Sequence, residues 1–550
     1  MKIFFKTIVC FCFLSLLGAR LLDQRTYAHR LFEKKNLSNL QTFSTRTLDR
    51  LAHKEKSLSQ LGTSLRLSYI QLNSSLFSKI KAQEQQSLEL LNLDLFDDLE
   101  VEFYKTKTIS HSNKMFTWIG EILEDPWSSA VLTFDENGVV GNINIEGRVY
   151  FIGQIGEGLH FVSEGNRSKI AEDELRPMPT PPVNSAVQPK ADTFNDGSFV
   201  DIMFLYTADA LAAEPTIETE ITNTVEFTNA SLARSCGLFR LRHVHTEQVV
   251  YDESLSNSDL LSCMATTGDG CLDIVDTLRS THGADIVSMW QAAPVAIGYI
   301  PDAGTSNPAA GFNAISPGSG ITSMTFTHEV GHNFGINHDR YSEDLSLNDY
   351  NAPKGFAYDY VDIDNNFSTN VARGGSCALA DRNCFYSGYY SNPRILKNGF
   401  PLGKAGIADG VATLNSMRVH LGNYAQATSA YSPDLSGCKE NAKKVSSTPQ
   451  CFISTATFGS SLHPYVLNLR KFRDEYLNNS RVGRSLVDFY YQTSPSLANV
   501  IAENMVLKNV SRFLLTPIIF AIVDPGKFGL LFLGICLLAF APYRRLKKYV

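Results

Sequence analysis

An α/β (α+β) fold with a mostly parallel sheet is predicted for the centre of this 550-residue chain, and three observations predict it. Apolar stretches of strand character, such as Phe199–Tyr206 (FVDIMFLY) and Ala284–Trp290, alternate with segments of helical period. That order builds a parallel sheet covered by helices. Hydrophobic residues make up 44% and charged residues 19%, enough to bury a sizeable core and too little charge for disorder. Short alternating runs separated by turn dipeptides are confined to the region before residue 176, so a β-rich unit precedes the α/β one. Lysine plus arginine number 49 against 56 acidic residues, a net charge of -7, which leaves no basic surplus for nucleic acid. Ten cysteines in such a length are too sparse for a disulfide scaffold.

In chain order, residues 1–19 carry Lys2 and Lys6, an apolar run from Thr7 to Gly18 and then Ala19, the pattern of a cleaved export signal. Residues 20 to about 100 are polar and leucine-rich, with weak helical stretches. Within 20–195, the part from 91 to 175 is β-rich: SSAVLTFDE, GVVGNINIEG and RVYFIGQIG are joined by Asn-Gly and Glu-Gly turns. Residues 176–190 contain five prolines and read as an extended, accessible linker. The α/β domain then spans 196–430. Strand Phe199–Tyr206 is followed by a helix over 214–235 ending at Gly237, a strand over Phe239–Tyr251 and a helix over Asp273–His282 stopped by Gly283. Next come strand Ala284–Trp290, an edge strand over Gly311–Ser316 and a helix over Thr322–Asn333. His243 and His245 alternate onto one face of their strand and read as ordinary strand residues.

The decisive stretch is FTHEVGHNFGINHD, from Phe326 to Asp339. Residues four apart on a helix are neighbours on one face, so His328 and His332 can offer imidazole nitrogens to one zinc ion. Glu329 is rotated by about 100° from His328 and stands beside the metal rather than on it. A catalytic zinc needs a third protein ligand and an open position. A continued helix would carry His338 about 9 Å beyond His332 along the axis. Gly335 removes the difficulty, because glycine takes the left-handed conformation that ends a helix and turns the chain back. His338 then completes the set, and Asp339 reads as a local hydrogen-bond acceptor. The arrangement fits peptide hydrolysis without a covalent intermediate: zinc polarises a carbonyl and acidifies a water, while Glu329 moves the proton from that water to the leaving amine.

HEVGHNFGINHD resembles the zinc signature of metzincin peptidases. VDIMFLYT, FRLRHVHTEQVVY, GADIVSMW, YYSNPRILKNGFPLG and LNSMRVHLGNYA resemble the bacterial reprolysin-like branch, over roughly residues 197 to 428. The resemblance implies a metzincin-like catalytic domain with a twisted sheet, an active-site helix and a cleft for an extended peptide. It also implies one catalytic zinc ion and protein or peptide substrates. One departure stands out: Val371 or a neighbour occupies the place of the methionine that packs beneath the metal in metzincins, filling similar apolar space. Residues 91–175 resemble the β-rich propeptides of such enzymes, so 20–195 is expected to be a propeptide that keeps the enzyme latent by occluding the cleft.

After a linker over 431–449, Cys451-Phe-Ile, LRKFRD and Tyr490-Tyr491 within 450–520 resemble the CFI-box region of secreted prokaryotic proteins, a small helical sorting or anchoring unit. Residues 525–543 read as a membrane segment and the basic tail 544–550 as cytoplasmic, which places the remainder outside the cell. Its apolar core, Phe528 to Pro542, rises only about 22 Å as a helix, so the flanking Tyr543 and basic side chains must complete the span. Seven cysteines remain in the exported part, and Cys263 with Cys271 and Cys377 with Cys384 are close enough to close small loops. Cys451 either pairs with Cys438 or carries a modification. Two functions stand: an exported, surface-anchored zinc endopeptidase, or a silent metzincin-fold surface binding protein. The intact Glu329 favours the first.

Overall fold

In the computed structural model the described residues are 29–34, 43–81, 88–166, 195–339, 357–373 and 384–439, with gaps of four residues or fewer, and scattered positions between 453 and 523. The expected signal segment 1–19, the linker 176–190, the membrane segment 525–543, the tail 544–550, Cys377 and Cys451 lie outside them. Two compact units result: residues 30–91 with 103–443, and residues 1–29 with 92–102 and 444–550.

In the first unit, helix α1 (Thr45–Leu61) precedes most of the sheet. The Ser44 hydroxyl accepts from Thr47 N at its start, and Gly62, at φ +64°, ends it in the left-handed region. An antiparallel sheet follows, with strands β1 (Ser64–Leu72), β2 (Leu99–Ser112), β3 (Met115–Ile122), β4 (Asp125–Phe134), β5 (Val139–Ile145), β6 (Arg148–Gly156) and β7 (Leu159–Gly165). β3 to β7 pair in sequence order, β2 joins β3 from Tyr104 onward, and β1 closes on β7. β1 falls where only weak helix was expected. Its alternating SLRLSYIQL sets Tyr69 into a cluster with Leu51 and Leu58 of α1 and with Phe151 and Phe161 of the sheet.

The α/β part carries β8 (Phe199–Tyr206), α2 (Ile217–Ser235), β9 (Arg240–Gln248), β10 (Ile286–Trp290), β11 (Ala296–Gly298), β12 (Phe312–Ile315) and α3 (Thr322–Asn333). After these come β13 (Ile336–Asp339), β14 (Ala357–Asp359) and α4 (Gly410–Leu421). Strand order is β9-β8-β10-β12-β11. β8 runs parallel to β9 and β10, β10 parallel to β12, and β11 antiparallel at the edge. Every residue of β8 is buried, which explains its unbroken apolar run. Three expectations are corrected. The segment around Gly311–Ser316 is an interior strand, β12, and the edge is the three-residue β11. Asn313 is tolerated inside the sheet because it accepts from the Ser288 hydroxyl at 2.6 Å and donates to Asn333 at 2.8 Å. α2 ends one residue early, on Cys236 at φ +73° rather than on Gly237, and Cys236 is disulfide-bonded to Cys438, which excludes a Cys438–Cys451 pair. The alternation of His243 and His245 is interrupted by a register shift, and the His245 ring stacks on His282 with centroids 3.7 Å apart. The Cys263–Cys271 bridge forms as expected, and Cys384 is disulfide-bonded.

The N-terminal sheet packs through β4 and β5 on α2, and Gly165 lies against Ile321 and Met324 at the start of α3. In the second unit, helix Met505–Val523 holds Pro517, Ile453 N donates to the Tyr490 hydroxyl at 3.0 Å, and Arg512 Nε to Thr457 O at 3.1 Å. Among the described residues no helix is long and apolar enough to cross a membrane.

Candidate metal centre

Helix α3 is buried along its whole length, so its polar residues must find partners inside the protein. Phe326, Val330 and Phe334 turn into the main apolar core with Tyr390 and Val371. His328 and His332 stand on the other side of that period. Asn333 pins the helix end, donating to the carbonyls of Tyr299, Ala310 and Phe312 at 3.2, 3.1 and 2.9 Å. The helix then stops, Gly335 adopts φ +86°, and β13 carries the chain back alongside β14.

That reversal brings His338 to the other two imidazoles. His332 Nε2 lies 3.0 Å from His328 Nε2 and 3.2 Å from His338 Nε2. The rings of His328 and His338 are each nearly perpendicular to that of His332, at 85° and 90°. All three side chains are buried, and their ligand atoms lie within 4.8 Å of one another. The other ring nitrogens are occupied: His328 Nδ1 meets Asn370 O at 3.2 Å and His332 Nδ1 meets Ile336 O at 2.7 Å. A carbonyl can only accept, so these two Nδ1 atoms carry the protons and both Nε2 atoms present lone pairs. Lone pairs 3.0 Å apart repel unless a cation lies between them. The donor set therefore fits a divalent metal ion. Burial, followed by the neighbouring His332 and Arg373, holds the His338 pKa well below the ordinary histidine value, so its imidazole is neutral as a ligand must be.

Glu329 is 2% exposed and borders the edge strand: a Cβ on Gly298 of β11 would lie 3.2 Å from its Oε2. Asp339 is a structural acceptor, taking Arg373 N at 2.9 Å. Val371 is fully buried, with its Cγ2 only 2.3 Å from where a Gly331 Cβ would stand, so it packs directly beneath the helix. Its amide, and that of Ala372 at 3.0 Å, donate to Asp359 Oδ2. Arg373 Nε donates to His338 Nδ1 at 3.2 Å, a contact that must give way for a neutral His338 to hold a metal through Nε2, because one of its two ring nitrogens keeps a proton. His328, Glu329, His332, Gly335, His338 and Asp339 therefore lie on α3 and the turn and strand that follow it, with Val371 packed beneath the helix. Asn333, Asp359, Asn370 and Arg373 are additions. Only Asn333, inside the motif, had a signal within reach; the other three lie 27 or more residues from His332.

Residues 199–381 match the metallo-peptidase family M12B, reprolysin-like. This stretch is a reprolysin-like metallopeptidase domain. The chain that carries it is a metalloendopeptidase. It is 24% identical over 310 residues to a peptidyl-Asp metalloendopeptidase of Xanthomonas campestris pv. campestris, covering 54% of this chain and 70% of that protein. A protein of the same name from Stenotrophomonas maltophilia is 25% identical over 292 residues, covering 52% and 68%. Among solved structures, metalloproteinase-II from Bacteroides fragilis aligns at a TM-score of 0.30 and 10% identity, over 46% of this chain and 81% of that one.

Proposed function

We propose that the chain is a zinc endopeptidase with a metzincin-like catalytic domain, in which His328, His332 and His338 hold one zinc ion and Glu329 is the general base. The convergence of three imidazole Nε2 atoms, with the buried Glu329 next to His328 on the same helix, carries this reading. Zinc held there supplies a Lewis acid for the scissile carbonyl and lowers the pKa of a water toward about 7. Glu329 takes the proton of the attacking water and delivers it to the leaving amine. Asn370 and Ile336 carbonyls hold His328 and His332 in the tautomer that keeps Nε2 unprotonated. The antiparallel edge strand β11, next to Glu329, offers free backbone groups on which an extended substrate can add as a further strand. The relatives' name suggests cleavage at aspartate, and we carry that preference to this chain. A silent binding protein has no use for a buried carboxylate next to His328 in the chain.

In the same reading, residues 1–19 direct export, 20–195 form a propeptide, and 450–520 with the segment 525–543 sort or anchor the enzyme at the cell surface. A peptide-library digest with and without a zinc chelator tests the chemistry. Cleavage at aspartate, lost on chelation and restored by zinc, is the outcome expected; digestion indifferent to the chelator contradicts it.

A further inference from the structure

The contact between the N-terminal sheet and the catalytic domain is buried, polar and directed at the entry to α3. Lys54 of α1 is 8% exposed; its ammonium passes 5.6 Å over the Phe161 ring. It donates to Glu214 Oε2 at 2.9 Å and to the Gly318 carbonyl at 3.3 Å. The Gly318 amide in turn donates to both carboxylate oxygens of Glu220, at 3.1 Å. Gly318 belongs to the turn that feeds α3, four residues before Thr322. Burial, and then the neighbouring Glu214, push the Glu220 carboxyl up to about 8, with Lys54 opposing. Beside this group, Asn142 donates to Asn223 Oδ1 at 2.5 Å and to the Ser323 hydroxyl at 2.8 Å. Asn223 donates to the carbonyls of Val131 and Val140 and to Thr133 Oγ1. Val131 and Val149 pack with Phe227, Ile321 and Met324.

Taking this sheet away would strip two neighbouring buried carboxylates of their cation. It would also leave Asn223 without three acceptors and expose an apolar patch at the first turn of the histidine helix. We propose that the N-terminal region is a permanent subunit of the enzyme: once the chain is cut within residues 176–190, the N-terminal fragment stays bound, held by the Lys54–Glu214 contact, and keeps the entry to α3 in place. Cutting then changes connectivity without discharging the fragment. The proposal concerns binding and stands apart from the peptidase chemistry.

The test uses the full chain carrying Glu329→Gln, to prevent self-digestion, with a site-specific protease sequence placed within 176–190. After complete cutting, gel filtration at about 1 μM is expected to return both fragments in one peak, and Lys54→Met is expected to weaken their association at least tenfold. Separation of the unaltered fragments overturns the proposal, as does equally tight association in the cut Lys54→Met chain. If Lys54→Met does not accumulate as soluble protein, elution of the unaltered cut chain still decides.

Discussion

Gly331 is the residue at which the histidine helix and its floor touch most closely. A methyl group there would meet Val371 Cγ2 at 2.3 Å, and Val371 cannot retreat readily because its amide is tied to Asp359. Gly331→Ala is therefore expected to cost about 1–3 kcal/mol of stability through overpacking. Thermal denaturation checks this, and adding Val371→Ala should restore most of the loss. At this scale the sequence was informative where chemistry follows helical period: His328, Glu329 and His332 take their relation from spacing alone, and Gly335 announces the turn that returns His338. Asp359, Asn370 and Arg373 escaped because their contacts depend on a fold that joins distant segments, and no period or spacing encodes that.

Elements read from buried apolar runs or helical caps came close to their observed bounds, as β8 and α3 show. β11 did not, since three residues hold no period to detect, and the polar Asn313 made its interior neighbour β12 resemble an edge. Helix α2 ends on a left-handed cysteine whose bridge to Cys438 spans 202 residues and ties the helix to the segment that follows the catalytic domain. Replacing Cys236 and Cys438 by serine is expected to cost about 2–5 kcal/mol in chemical denaturation. Zinc content should remain unchanged, because neither cysteine belongs to the three-imidazole group.

Over the whole molecule, buried carboxyls set the response of stability to pH. Burial raises Glu226 to about 7, with Lys107, Asn229 and Arg240 opposing, against an ordinary value of 4.5. The folded chain therefore binds more protons than the unfolded one between those values, and this contribution to stability is present at low pH and lost as pH rises through about 7. His111 and His243 act oppositely: burial lowers both to about 4, so their contribution is lost on acidification from about 6.5 to 4. Glu226→Gln should make the melting temperature fall less between pH 5 and 8 than it does in the unaltered protein; an unchanged slope would remove Glu226 from the account.

The proposed chemistry rests on Glu329 and on the three imidazoles that would hold the metal. Zinc content and peptide hydrolysis should be measured together on the unaltered chain and on Glu329→Gln. The account predicts one zinc per chain in both proteins, with hydrolysis reduced by about 10²- to 10⁴-fold in the variant. Undiminished hydrolysis by Glu329→Gln, or loss of zinc along with the carboxylate, would contradict it.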